Sequence, residues 1–210
     1  TGNKVVDIML LWAGKGVDAF RCDMAEMVPS AFWAWATAKV KDAYPHIIFI
    51  GEVYNPALYR TYIASGFDFL YDKVGMYDTL RAVTCFHTSA NEITAAWQAN
   101  DDISSHMLYF LENHDEQRIA SDFFAADAIK GIPALGVSLL MRNNPFMLYA
   151  GQEFGEKGMD EEGFSGRDGR TTIFDYWSVD SLWRCATGYL SVEQIDLFDR
   201  FLTLVSFVGL

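Results

Sequence analysis

Arg21 and Asp23 stand two residues apart at the end of the short apolar stretch GVDAF. On an extended chain that spacing puts both side chains on one face. Other polar residues fall in the same way. Glu52 ends the run HIIFIG, Asn113, His114 and Asp115 follow HMLYFLE, and Gln152 and Glu153 follow PFMLYAG. If each run is a strand, Asp23, Glu52 and Asp115 all lie at strand C-terminal ends, with Arg21 and His114 beside them. Carboxylates crowded in a partly dry cleft titrate apart, so one stays protonated as an acid while another stays ionised. Glycoside hydrolysis needs that division of labour. Its retaining form uses a carboxylate nucleophile and a carboxylic acid about 5–5.5 Å apart, a separation that neighbouring strand ends can supply. Arg21 would hold the nucleophile ionised through charge-assisted hydrogen bonds. His114 suits a sugar hydroxyl.

The pattern of apolar residues must supply the scaffold. Residues 5–15 read as an amphipathic helix stopped at Gly14–Gly16. VDAF at 17–20 reads as a strand, and a helix follows from Pro29–Ser30 to about Ala43. Strands are expected at 46–53 and 67–72, with a helix around 56–64 between them. A helix at 90–100 leads to a strand from 106, a helix at 132–140 to a strand from 145, and a Gly- and charge-rich loop spans 156–170. A last helix covers 191–208, opened by Ser191 and Gln194 in capping-box spacing. Helix and strand alternate over five strands, which means a parallel sheet covered by helices. The fold class is therefore α/β. A doubly wound sheet and a (β/α)8 barrel both fit, but no Gly-rich phosphate loop follows any strand, which weakens the first. In a barrel all the strand-end residues above ring one mouth, where barrel enzymes hold their chemistry.

The chain has 210 residues, half of them apolar and 15% aromatic, enough for a sizeable core. Its net charge of −12 lacks the basic stripe of a nucleic-acid binder. No apolar run reaches the length of a membrane span, and no signal peptide is visible. Cys22, Cys85 and Cys185 are odd in number and far apart, which argues against a disulfide framework or a zinc site. No cofactor is implied. Thr1 and Leu210 each lie inside an apolar periodic segment, so both ends read as cuts, and the compartment is left open between export and cytoplasm.

GVDAFRCD, IIFIGEV and FLENHD, in that order, resemble three of the four short motifs of the alpha-amylase superfamily, glycoside hydrolase family 13. The resemblance implies the later part of a (β/α)8 TIM barrel, about five βα units from the fourth to the eighth strand, with residues 1–210 as one incomplete catalytic domain. It makes Asp23 the nucleophile, Glu52 the general acid/base and Asp115 the transition-state stabiliser. Arg21 and His114 match the accompanying arginine and histidine. The implied substrates are α-linked glucosides such as starch or maltooligosaccharides, cleaved by retaining hydrolysis or used in the related transfer. The first motif has no counterpart here. Where starch-type members often carry Lys-His after the nucleophile, this chain has Glu26 and Met27, and no metal is expected.

Blander readings compete at single positions. Glu52 alone would suit a helix N-terminus, and His114 alone a structural role. Gln152 and Glu153 divide evenly between substrate contact and packing. Tyr54, Tyr71 and Trp177 offer flat faces for sugar rings, but in a chain with 32 aromatic residues any one of them reads first as core or rim, and Trp12, Trp33 and Trp35 fall on helical patterns and read as packing. Cys22 should face the helices as a small apolar residue. A non-catalytic sugar-binding or scaffolding piece of the same fold is the alternative function. The two open sheet edges of a partial barrel would invite self-association with a second copy. A metal-dependent barrel hydrolase is weaker, since His114 is the one strand-end histidine.

Overall fold

The computed structural model describes residues 2–158, 167–173 and 179–209. Among the described residues five strands are present: β1 Ala19–Cys22, β2 Ile48–Gly51, β3 Phe69–Tyr71, β4 Met107–Phe110 and β5 Phe146–Met147. Each pairs in parallel with the next in sequence. Sequential parallel order, with helices in the crossovers, is the arrangement of an incomplete (β/α) barrel. A doubly wound sheet would reverse its order at a switch point. The helices are α1 Gly2–Ala13, α2 Ser30–Ala43, α3 Tyr59–Ala64, α4 Asp78–Thr84, α5 Glu92–Ala99, α6 Ile132–Leu140, α7 Asp180–Thr187 and α8 Val192–Ser206.

The chain divides into two compact units. The first comprises Thr1–Gly75 and Trp97–Leu108, and the second Met76–Ala96 and Tyr109–Leu210. The boundary falls within β4. Leu70 and Tyr71 pair with Met107 and Leu108 in the first unit, and Tyr109 and Phe110 pair with Phe146 and Met147 in the second.

Aromatic side chains build the core of the first unit. Phe67 lies edge-on to Trp33, with ring centroids 5.0 Å apart, and edge-on to Phe49. All three are buried. A carboxylate fixes the entry to β2: Asp68 accepts from the Phe49 amide at 2.7 Å and from Lys41 at 2.8 Å. Gly51 closes the strand because nothing larger fits. A Cβ there would stand 2.8 Å from Leu70 Cδ2 and 2.9 Å from Phe67 Cδ1.

In the second unit α8 carries the expected capping box. Ser191 Oγ accepts from the Gln194 amide at 3.2 Å, and Gln194 Oε1 accepts from the Ser191 amide at 3.0 Å. Leu197 and Phe201 face the core, and Phe154 packs on Phe198.

Several boundaries differ from those read in the sequence. β1 runs on through Arg21 to Cys22, so Arg21 is a strand residue and Asp23 the first beyond it. β5 is two residues long. Helices α4 and α7 stand where no element was expected. Of the tryptophans read as packing, Trp33 is buried, whereas Trp12 is 50% and Trp35 37% exposed.

Candidate active site

The first unit gathers Arg21, Asp23, Glu52, Tyr54 and Tyr71. Parallel pairing of β1 with β2 sets Cys22 beside Gly51, so Asp23 and Glu52 both leave their strands at the same level. The register continues one step beyond the strands, as the Glu52 amide donates to the Cys22 carbonyl at 3.1 Å. Asp23 opens to solvent, its side chain 71% exposed, whereas that of Glu52 is 8% exposed. Arg21 stands between them. Its Nη1 pairs with Asp23 Oδ1, and its Nη2 lies 3.0 Å from Glu52 Oε1. Burial works against the Arg21 charge, but hydrogen bonds with Tyr71 and Asp23 and the charge of Glu52 hold its pKa above the ordinary value.

Glu52 accepts two hydrogen bonds. Tyr54 Oη donates to Oε1 at 2.8 Å, and the Met24 amide donates to Oε2 at 2.7 Å. Met24 reaches that position in a left-handed conformation, φ 43° and ψ 44°. A residue with a Cβ seldom adopts it, so the backbone beside Asp23 is strained.

The second unit holds the other expected residues. Asn113 is buried, and its Oδ1 accepts from the amides of Asp115 at 2.9 Å and Glu116 at 2.8 Å. This Asx turn presents Asp115, whose side chain is 40% exposed. His114 Nε2 lies 3.1 Å from Asp115 Oδ2, so the ring is engaged by its neighbour. Gln152 is buried in a short helical turn after β5, and neither atom of its amide finds a hydrogen-bond partner among the described residues. Glu153 is half-buried there and caps the same turn through the Gly151 amide at 3.1 Å.

The two described aromatic residues that offered faces for sugar rings lie in different surroundings. Tyr71 is buried, with the Arg21 guanidinium 5.5 Å from its ring centroid. No face of it is open to a sugar. Tyr54 gives its hydroxyl to Glu52 and has the Lys73 ammonium 6.0 Å from its ring. Trp177 lies outside the described residues. Cys22 is buried as expected, and burial pushes its thiol up to about 12. Among the described residues no group of three His, Cys, Asp or Glu side chains is arranged to hold a metal ion. None of the helices described there is long and apolar enough to cross a membrane.

Sequence reasoning missed the support of the Asp115 loop. Arg118 is wholly buried and donates to Glu112 Oε2 at 2.7 Å, to the Ala150 carbonyl at 2.9 Å and to Thr171 Oγ1 at 3.1 Å. Glu112 Oε1 accepts from the Ile119 amide at 2.8 Å. Burial pushes the Glu112 carboxyl above the usual carboxylate range, and Arg118 opposes it. Only the charge of Glu112, directly after the apolar run 107–111, hinted at a buried partner.

The motifs and their strand-end placement agree with comparisons to known proteins. Alpha-amylase MalA of Haloarcula japonica is 35% identical over 167 residues, which cover 75% of this chain and 23% of that protein. An alpha-1,4-glucan:maltose-1-phosphate maltosyltransferase of Myxococcus xanthus is 35% identical over 48 residues, 23% of this chain and 7% of that protein. A cyclic alpha-maltosyl-(1→6)-maltose hydrolase from Arthrobacter globiformis shares the fold, with a TM-score of 0.75 at 18% identity. The match covers all of this chain and 44% of the hydrolase. The chain thus spans less than half the length of these relatives. The family described as alpha amylase, catalytic domain, matches residues 2–189. Nearly the whole chain, from α1 to the end of α7, carries that pattern, and the chain belongs to the alpha-amylase catalytic-domain family.

Proposed function

We propose that this chain supplies the later strands of a catalytic domain that cleaves α-linked glucosides with retention of anomeric configuration. The observation that carries the reading is the Arg21 bridge. One guanidinium contacts an open carboxylate, Asp23, and a buried one, Glu52, at adjacent strand ends. These are the two environments that a nucleophile and a general acid require.

In the first step an Asp23 oxygen bonds to the anomeric carbon as the glycosidic bond breaks. The bonding electrons stay with the leaving oxygen, which takes its proton from Glu52. In the second, Glu52 removes a proton from water, the water oxygen bonds to the anomeric carbon, and Asp23 leaves as carboxylate. Arg21 keeps Asp23 ionised and aimed. The family resemblance gives Asp115 the third role, binding ring hydroxyls in the oxocarbenium-like state. His114 and Gln152 are proposed to contact the sugar. The unpartnered amide of buried Gln152 favours a polar ligand there.

The test is hydrolysis of maltooligosaccharides with the product anomer followed over time, beside an Asp23→Asn control. An α product that disappears in the control is expected. Normal turnover in Asp23→Asn would remove the nucleophile assignment. A second reading, α-glucan transfer, draws on the similarity to the maltosyltransferase of Myxococcus xanthus. An acceptor sugar hydroxyl would then replace water in the second step, and added maltose would divert product into longer chains.

A further inference from the structure

Glu26 occupies the place where starch-type relatives often carry lysine, and the structure gives it a purpose. Its Oε2 accepts from two successive amides of the segment after Glu52, Asn55 at 3.0 Å and Tyr54 at 3.3 Å. Glu26 is itself anchored. The buried Tyr62 donates to its carbonyl at 3.1 Å and to that of Val28 at 2.8 Å. The next residue of the segment is fixed too, since Asn55 Oδ1 caps the following turn through the Ala57 amide at 3.1 Å. Tyr54 lies two residues beyond Glu52, just past the end of β2. There its hydroxyl meets Glu52 Oε1.

The two oxygens of Glu52 are consequently unequal. Oε1 accepts the Tyr54 hydroxyl at 2.8 Å and lies 3.0 Å from Arg21 Nη2, an ion-pair contact without hydrogen-bond geometry. Among the described residues, Oε2 accepts only the Met24 amide. Each carboxylate oxygen offers about two lone-pair sites. One site of each is filled, but Oε1 also lies against the Arg21 cation, which disfavours a proton there, whereas Oε2 meets a neutral amide. We propose that Glu26 and Tyr54 are positioning residues of Glu52, and that together they make Oε2 the oxygen that carries the transferable proton. This rests on the reading of Glu52 as the general acid. The charged and titratable groups around this carboxyl in the first unit are Arg21, Asp23, Glu26, Tyr54, Tyr71 and Lys73.

Two measurements test the proposal. The first needs no turnover. With glutamate side chains labelled with 13C at the carboxyl, the Glu52 resonance is the one missing in Glu52→Gln. Tyr54→Phe and Glu26→Ala are both expected to displace it in the same direction in this chain. A Glu52 signal unmoved by Glu26→Ala overturns the link through Tyr54.

The second compares kcat/KM of the active enzyme for a maltooligosaccharide, whose leaving oxygen needs a proton, and for α-maltosyl fluoride, whose leaving group does not. Glu52→Gln is the reference and should lose only the first activity. Tyr54→Phe and Glu26→Ala should each lose roughly ten- to a hundredfold on the oligosaccharide, part of what general acid catalysis supplies, and nothing on the fluoride. The double variant should be no worse than either single one. Equal losses on both substrates would mean a merely structural role and overturn the proposal. A Glu52→Gln enzyme that shows no difference between substrates would instead remove the acid role of Glu52 itself.

Discussion

Glu112 and Arg118 form an ion pair closed to solvent, Oε2 to Nη1 at 2.7 Å, with both side chains at most 2% exposed. They stand six positions apart in the chain, and the residues between include Asn113, His114 and Asp115. The pair ties off the loop that presents Asp115. It also reaches to the Ala150 carbonyl and Thr171, and the guanidinium packs 4.2 Å from the Tyr149 ring centroid. The carboxylate has both oxygens occupied and the guanidinium has a partner on each nitrogen. Burial of the two charges is therefore compensated.

Removing one charge should expose that dependence. Glu112→Gln leaves Arg118 buried without its counter-charge, and a loss of about 3–5 kcal/mol is expected. Urea unfolding of the two proteins measures it. An unchanged midpoint would show that the pair contributes nothing net to the fold.

Gly51→Ala tests the close approach of β2 to its neighbours. The added methyl group meets Leu70 and Phe67 at under 3 Å, and both side chains belong to a packed core. Overpacking of this kind costs typically about 1–3 kcal/mol. Thermal unfolding should show the loss, together with reduced turnover as Glu52 is displaced. A variant as stable as the parent would mean that the core yields freely there.

Asp23→Asn should separate activity from stability. Its side chain is largely in solvent and its one ion pair is to Arg21, so the fold should change by no more than about 1 kcal/mol. Turnover should vanish while the unfolding midpoint stays near that of the parent. A collapse of the fold would assign Asp23 a structural role instead.

The thiols should differ sharply in reactivity. Cys22 is buried with its pKa raised to about 12, whereas Cys185 is exposed. The thiolate is the reactive form, and at pH 8 almost none of Cys22 is ionised. A disulfide reagent should modify Cys185 rapidly and Cys22 only on unfolding. Fast modification of two thiols including Cys22 in the native protein would contradict its burial.

The strand-end placement was legible because each strand is a short apolar run that stops at a polar residue, and a parallel sheet brings such ends to one edge. Asp23 and Glu52 were found in this way, and their motifs identified the family. Other features left no such trace. Helices α4 and α7 are seven and eight residues long, too short to repeat their periodicity convincingly. Tyr71 was left between stacking and core, because nothing in the sequence tells that Arg21 lies over its ring. The bond from Tyr54 to Glu52 and the two amides held by Glu26 depend on how the segment after β2 lies against the turn after β1. Local pattern carries no record of that approach.

The left-handed turn at Met24 changes what substitution at this position can mean. Its side chain is mostly in solvent, while its amide serves Glu52 Oε2. Side-chain identity there is almost free, and the position would look idle in any list of functional residues. One constraint is absolute: proline, which has no N–H and cannot take a positive φ, is excluded. Glycine would occupy the same conformation with less strain. Part of the environment of Glu52 is therefore inherited through the course of the main chain, and it persists through changes of side chain that would erase a side-chain contact.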